Sequence, residues 1–312
     1  MKKIQMAKKG ENTTIREGFD LFVISQKAKG VAEKTVETYH SHFQSVSRHW
    51  DVDMAFADLT QEDLDGMVVS MRESGLAHNS ISSYLRVVKT FLNWAKREGY
   101  TNLNVPNYKQ EETVKETYTD EELKALLARP APDCLFCEYR NWVIINFLMN
   151  CGCRASTIRN IQNQDVFLTE GRVVFRHTKN HKIQTIPLCS KMVNILRAYM
   201  KVRGGAGTDY LFCNEYGNML TENGLRLAIK HYNNSRGVEK TSIHLFRHTF
   251  ARKYLMDCQG NAFMLQKLLG HSTLKMTKHY CAIYDSDITK EFDKISPLSQ
   301  FSLTEEKIRK RA

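Results

Sequence analysis

The sequence predicts a mainly α-helical protein with a small β-sheet, arranged as a helical N-terminal domain followed by a mixed α/β domain. Three observations carry this. Apolar residues recur at helical period four times in the first 100 residues. One pair of β-rich runs stands out in the second part. A polar, proline-containing stretch interrupts the periodicity between the two. The chain has 312 residues and 42% apolar residues, which suits two globular domains at roughly 100–200 residues each.

The helical stripes come first. Ile15, Phe19 and Phe22 share one face. Val36, Tyr39, Phe43, Val46 and Trp50 repeat at alternating three- and four-residue steps. Leu64, Met67, Val68 and Met71 form a third stripe, and Ile81, Tyr84, Leu85, Val88, Phe91, Leu92 and Ala95 a fourth. Apolar stripes of this period pack inward, so four of them make a small bundle with its aromatics in the core. The pattern stops after Gly99-Tyr100. Pro106 and the polar run from Lys109 to Thr113 read as a linker. A capping box then opens a helix, with Thr119 as N-cap and Glu122 reaching back, and Pro130 and Pro132 close it. The expected boundaries are a tail over 1–12, a helical domain over 13–100, a linker over 101–118 and a second domain with a C-terminal tail over 119–312.

In that second domain, Arg172–Arg176 and Ile183–Pro187 are β-rich runs flanking Asn180-His181, a hairpin with Lys179 beside its turn. Helices are expected over Asn141–Asn150, Lys191–Val202, Glu222–Tyr232, Leu245–Met256, Ala262–Leu269 and Leu274–Ile283.

Composition excludes several classes. No run of about 18 apolar residues exists, which rules out a transmembrane helix. The basic start lacks the apolar core of a signal peptide. Eight cysteines over a chain of this length read as reduced thiols of a cytosolic protein, not as a disulfide framework. Cys134-x-x-Cys137 and Cys151-x-Cys153 invite a zinc reading. The second pair lacks the usual two-residue gap and a helix lies between the pairs, so no metal and no cofactor are expected. Residues 1–118 carry 16 Lys+Arg and 16 Asp+Glu, whereas 119–312 carry 29 and 18, so the whole excess of +11 lies in the second part. A surface of that sign attracts phosphate backbones, although many basic proteins bind none.

The second part also holds a spread set of polar groups near element ends: Arg154, Lys179, His244 and Arg247 at i and i+3, His271 after Gly270, then Tyr280 and Tyr284. Taken singly, such an arginine is a surface charge and such a tyrosine is packing. Together they suit phosphoryl transfer without metal. Guanidinium forks grip non-bridging oxygens, a lysine can protonate a leaving oxygen, and a tyrosine can attack phosphorus.

In this order the residues resemble the tyrosine recombinase (phage integrase) family. Cys151-Gly152-Cys153-Arg154-Ala155-Ser156 is similar to its Thr-Gly-Leu-Arg-Ile-Ser segment, and Thr178-Lys179-Asn180-His181-Lys182 with Ile186-Pro187-Leu188 is similar to its β-hairpin lysine. His244-Leu245-Phe246-Arg247-His248-Thr249-Phe250-Ala251 is close to its most diagnostic string. Leu268-Leu269-Gly270-His271-Ser272-Thr273 and Thr277-Lys278-His279-Tyr280 resemble its nucleophile region. The similarity covers about residues 13–295.

The resemblance implies a site-specific DNA recombinase with a core-binding domain and a catalytic domain. Tyr280 would form a 3′-phosphotyrosine, Arg154 and Arg247 would clamp the phosphate, and Lys179 would protonate the 5′-oxygen. His244 would help take the tyrosine proton and His271 would hydrogen-bond the phosphate. Neither metal nor ATP is needed, because the covalent link conserves the phosphodiester. Tyr280 lies nine residues after His271, as in the family; Tyr284, one helical turn on, is the alternative nucleophile. Thr157 stands where the family usually has an acidic residue, so the support beneath the site must differ. Candidate DNA contacts on the polar faces of the second and fourth helices are Lys34, Thr35, His40, Asn79, Ser80, Ser83, Arg86 and Lys89, weighed against simple solvation.

The implied partners are double-stranded DNA recombination sites, a homotetramer assembled on them from a monomer or weak oligomer, and accessory DNA-bending or directionality proteins. No membrane is expected, and the place of action is the cytoplasm, at the nucleoid. The implied outcome is integration or excision of phage or mobile-element DNA. The segment from Ile288 on, with Phe292, Ile295, Leu298, Phe301 and Leu303, resembles a tail that docks on a neighbouring protomer; packing on its own domain is the alternative. A type IB topoisomerase and a DNA-binding regulator without catalysis are the rival readings. No additional N-terminal arm-binding domain is expected ahead of residue 13.

Overall fold

A computed structural model describes residues 12–108, 116–178, 182–258 and 260–273. The chain divides into two compact units, Met1–Thr113 and Val114–Ala312.

The first unit contains α1 (Ile15–Ala28), α2 (Glu33–Val46), α3 (Gln61–Glu73) and α4 (His78–Glu98). Two of these start at capping boxes. Thr14 Oγ1 accepts from the Glu17 amide at 3.1 Å while the Glu17 carboxylate accepts from the Thr14 amide at 2.9 Å. Thr60 and Asp63 exchange the same pair of bonds at the head of α3. Each cap supplies ~1 kcal/mol by satisfying amides that the helix cannot.

All four apolar stripes face one core. At its centre Phe19 stacks on Phe43 with 3.8 Å between ring centroids and meets Phe91 edge-on at 5.5 Å. Trp50 corrects the second stripe. It is buried in this core but lies beyond the end of α2 at Val46, so the chain turns at Ser47 and Trp50 folds back from a loop.

Single residues at the two described ends of the stretch read as a linker pack into the cores. Leu103, Val105 and Tyr108 lie against the first core. The Tyr108 hydroxyl is 2.9 Å from His78 Nδ1, with the two rings stacked. At the other end, Tyr118 is buried in the second unit. Its amide donates to Thr249 Oγ1 at 3.0 Å, and its hydroxyl donates to Lys240 O at 3.1 Å and accepts from Asn233 Nδ2 at 3.0 Å. Extended chain held by single aromatics has no period for a sequence reading to detect. The whole of the polar run Lys109–Thr113 lies outside the described residues, as do 1–11.

The second unit contains α5 (Asp120–Leu127), α6 (Phe136–Cys151), α7 (Ala155–Asn160), a 3-10 turn (Asn163–Asp165), β1 (Val166–Phe167), β2 (Arg172–Phe175), β3 (Gln184–Pro187), α8 (Ser190–Arg203), α9 (Glu222–Ser235), α10 (Ile243–Met256) and α11 (Ala262–Leu269). The Thr119 capping box forms, with Glu122 accepting from the Thr119 amide at 2.7 Å. Helix α6 is buried on every side from Arg140 to Leu148, as a central helix is. It packs against α5, α8, α9 and α10 and buries Val143, Ile144, Ile145, Phe147 and Leu148 completely.

The strands form one antiparallel sheet in the order β1-β2-β3, with Val173 opposite both Val166 and Ile186. The two predicted runs form the hairpin strands. The two-residue β1 is too short to show an alternation and was not expected from the sequence. Arg176 falls just past β2, and its Nε donates to the buried Asp165 at 2.6 Å, pinning the hairpin to the 3-10 turn. Among the described residues no helix is long and apolar enough to cross a membrane. Lys179, Tyr280, Tyr284, the expected helix Leu274–Ile283 and the tail from Ile288 lie outside the described residues.

Candidate active site

Helix α10 presents Arg247 inward, with 5% of its surface exposed. Its Nη1 donates to Gly152 O at 2.9 Å, and its Nη2 donates to Leu269 O at 3.0 Å and to His271 Nε2 at 2.7 Å. None of these acceptors is charged, so they orient the guanidinium without cancelling its charge. One turn earlier, His244 is exposed in the first turn of the same helix.

Gly152 ends α6 in the left-handed conformation, with φ of 58°. A side chain there would be strained and would run into the Phe250 ring and Leu269. The glycine lets the chain lie flat on α10, which aims its carbonyl at Arg247 and brings Arg154 two residues later to the N-cap of α7. The thiols on either side are buried. Cys151 Sγ donates to Phe147 O at 3.0 Å, and burial beside Cys151 pushes the Cys153 thiol well up, so Cys153 remains a protonated packing group. Thr157 is buried, and its amide donates to Arg154 O at 3.0 Å.

His271 follows the end of α11. Gly270 takes the left-handed conformation, and the His271 amide donates to Gln266 O at 3.0 Å, the closing bond of a Schellman-type cap. The Gln266 side chain grips His271 O at 3.3 Å. Burial, then Arg247, then Arg154 lower the imidazole pKa to about 4. An arginine can only donate, so Nε2 is the bare nitrogen and Nδ1 carries the hydrogen. The charge of Arg154, two residues past Gly152, also acts on His271. Arg247 thus joins two segments far apart in sequence, the Gly152 turn that leads to Arg154 and the helix end that carries the neutral His271.

Residues 116–287 match the family model described as the phage integrase family, more than half of the chain. The chain belongs to the phage integrase family. Residues 19–99 of this family member also match the N-terminal SAM-like domain of phage integrases. It is 27% identical over 298 residues to the tyrosine recombinase XerD of Staphylococcus haemolyticus, covering 91% of this chain and 99% of that one. It is 25% identical over 248 residues to the tyrosine recombinase XerC of Thermodesulfovibrio yellowstonii, covering 75% and 81%. In fold it is similar to the Tn1549 transposon integrase in complex with a circular intermediate DNA, with a TM-score of 0.74 and 18% identity over 91% of this chain and 100% of that one. It is also similar to a lambda integrase tetramer bound to a Holliday junction, with a TM-score of 0.70 and 17% identity over 87% and 78%.

In the first unit of this integrase-family chain, Lys34, Thr35 and His40 lie on α2, and Asn79, Ser80, Ser83, Arg86 and Lys89 lie on α4, which packs against it. None is buried; Ser80 and Ser83 are half-exposed and the others exposed. The His40 ring meets Phe19 edge-on at 5.8 Å, so it also covers the core. Lys89 lines a cavity of about 310 Å³ with Asn93, Asn104 and Val105. What the sequence reading missed in the second unit is the neutral shell of the cluster: the carbonyls of Gly152 and Leu269 and the Gln266 amide. A backbone carbonyl has no sequence signal, and a glutamine on a helix reads as a solvated residue.

Proposed function

We propose that this protein is a site-specific DNA recombinase that cleaves and rejoins DNA through a 3′-phosphotyrosine, integrating or excising phage or mobile-element DNA. The observation that carries this reading is the contact of Arg247 with His271 and with the Gly152 turn that leads to Arg154, two cations and a neutral donor suited to a phosphate diester. In the reaction the Tyr280 oxygen bonds to phosphorus and the bond to the 5′-oxygen breaks. The tyrosine proton passes towards His244, and Lys179 protonates the departing 5′-oxygen. Arg154 and Arg247 hold the non-bridging oxygens, and His271 donates Nδ1–H to one of them. The phosphotyrosine keeps the phosphodiester energy, so rejoining uses neither metal nor ATP.

On this reading residues 13–100 are the core-binding domain, 119–312 the catalytic domain, and 101–118 join them. The α2 and α4 residues Lys34, Thr35, His40, Asn79, Ser80, Ser83, Arg86 and Lys89 contact the duplex. Four protomers act on paired sites in the cytoplasm, with accessory proteins setting direction. The lambda integrase tetramer on a Holliday junction and the transposon integrase on circular intermediate DNA support this choice of partner and assembly.

The test is covalent trapping in EDTA on nicked duplexes from the ends of the element. Wild type and Tyr284→Phe should form a protein–DNA adduct and Tyr280→Phe should form none. Loss only in Tyr284→Phe would move the nucleophile by one turn. Tight duplex binding with no adduct from any protein would replace the reading with a non-catalytic DNA-binding role.

A further inference from the structure

The end of α11 is held by more than its own cap. A helix leaves its last four carbonyls without internal partners, and here all four are taken. Gln266 O accepts from the His271 amide at 3.0 Å, Lys267 O from the Gly270 amide at 3.2 Å, and Leu269 O from Arg247 at 3.0 Å. The remaining partner comes from the sheet. Gln184, the first residue of β3, donates its side-chain amide to Lys267 O at 2.6 Å and to Leu268 O at 2.8 Å. A Cβ on Gly270 would stand only 2.7 Å from Gln184 Oε1. The left-handed glycine therefore leaves room for this amide as well as turning the chain into His271.

Gln184 is half-exposed, and Lys267 O already has the Gly270 amide. Capping accounts for the bond to Leu268 O but not for the second one to Lys267 O. Its distinct consequence is a two-point bond between elements more than 80 residues apart. On one side is the helix end that presents His271 and, through Leu269 O, Arg247. On the other is the strand that follows Lys179 by five residues and pairs through Gln184 with Phe175 of β2. We infer that Gln184 is a positioning residue that ties the hairpin to the His271 helix end, so that the proton donor and the phosphate-binding groups keep one spacing. The inference rests on the proposed recombinase reading, with Lys179 as general acid.

The test compares two nicked duplexes that differ in the atom leaving the scissile phosphate, a 5′-oxygen or a 5′-bridging sulfur. A sulfur leaves as thiolate and needs no proton, since thiols ionise near pH ~8.5, whereas an alkoxide needs the general acid. Gln184→Met keeps the length and removes both N–H groups. It should cleave the oxygen duplex about tenfold to a hundredfold more slowly than wild type, the range for a small misplacement, and approach the wild-type rate on the sulfur duplex. A merely structural loss would slow both duplexes alike. Gln184→Thr, which suits a strand but cannot reach α11, should behave the same way and replaces Gln184→Met if that variant melts early. Equal slowing on both duplexes, or no slowing on either, overturns the inference. Lys179→Ala separates the two readings. If sulfur rescues Lys179→Ala but not Gln184→Met, only the inference about Gln184 fails. If sulfur does not rescue Lys179→Ala, the general-acid assignment fails and the inference falls with it.

Discussion

His271 carries the clearest pH signature in the described residues. Its pKa falls from 6.5 to about 4 on folding. Above pH 6.5 the imidazole is neutral in both states and its contribution to stability is complete. As the pH drops from 6.5 towards 4 the unfolded chain takes up the proton first, so stability falls through that window. The loss amounts to about 3 kcal/mol at most, from 1.36 kcal/mol per pKa unit. Urea unfolding at pH 7 and pH 4.5 should show this fall, and His271→Gln should flatten it. A slope unchanged in the variant would mean that other groups set the acid limit. Arg247 works through its fork, one nitrogen on Gly152 O and the other shared between Leu269 O and His271. Lysine offers a point charge instead. Arg247→Lys should therefore lower the adduct-forming rate by about 10²–10³-fold, the cost of one transition-state donor, while duplex binding by anisotropy changes little. Rates within a few-fold of wild type would remove Arg247 from the chemistry.

At the scale of elements, glycine geometry and core packing decide. Gly152→Ala places a methyl on a left-handed residue, costing about 1–2 kcal/mol from backbone alone, and drives it into Phe250. The variant should melt lower and also lose cleavage, because the same turn aims Gly152 O at Arg247 and delivers Arg154. A variant that melts lower but cleaves normally would show that the turn does not set the site. In the first unit, Phe91 is fully buried among Phe19, Phe22, Phe43 and Trp94. Phe91→Ala should cost about 3–5 kcal/mol in chemical denaturation. The sequence marked this core because period-3.6 stripes and capping boxes are local patterns. It did not mark Trp50 as a loop residue, because the apolar spacing of α2 continues past the point where the helix ends. Nor did it mark β1, whose two residues gain their strand geometry only from pairing with β2.

At the scale of the whole molecule, charge is the readable property. The excess of +11 lies entirely in residues 119–312. Binding to duplex DNA by that surface should release counterions and be strongly salt-dependent. For about six to ten phosphate contacts, affinity should fall by roughly 10³- to 10⁵-fold between about 50 and 200 mM salt. A flat salt profile in anisotropy titrations would argue against phosphate contacts as the main source of affinity.

The sequence by itself determined the helical class of both parts, the hairpin strands and the sign of the net charge, and it singled out the polar groups proposed here for the chemistry. Each of these is written in local spacing or in a sum over residues. Only the tertiary structure decided that Arg247 and His271 touch, that the imidazole is neutral with its hydrogen on Nδ1, and that Tyr118 belongs to a folded core. The same holds for Gln184, a strand residue that holds a helix end 83 residues away. Those facts depend on which carbonyls and rings meet across the fold. A hydrogen bond to a backbone carbonyl leaves no mark on the residue that offers it.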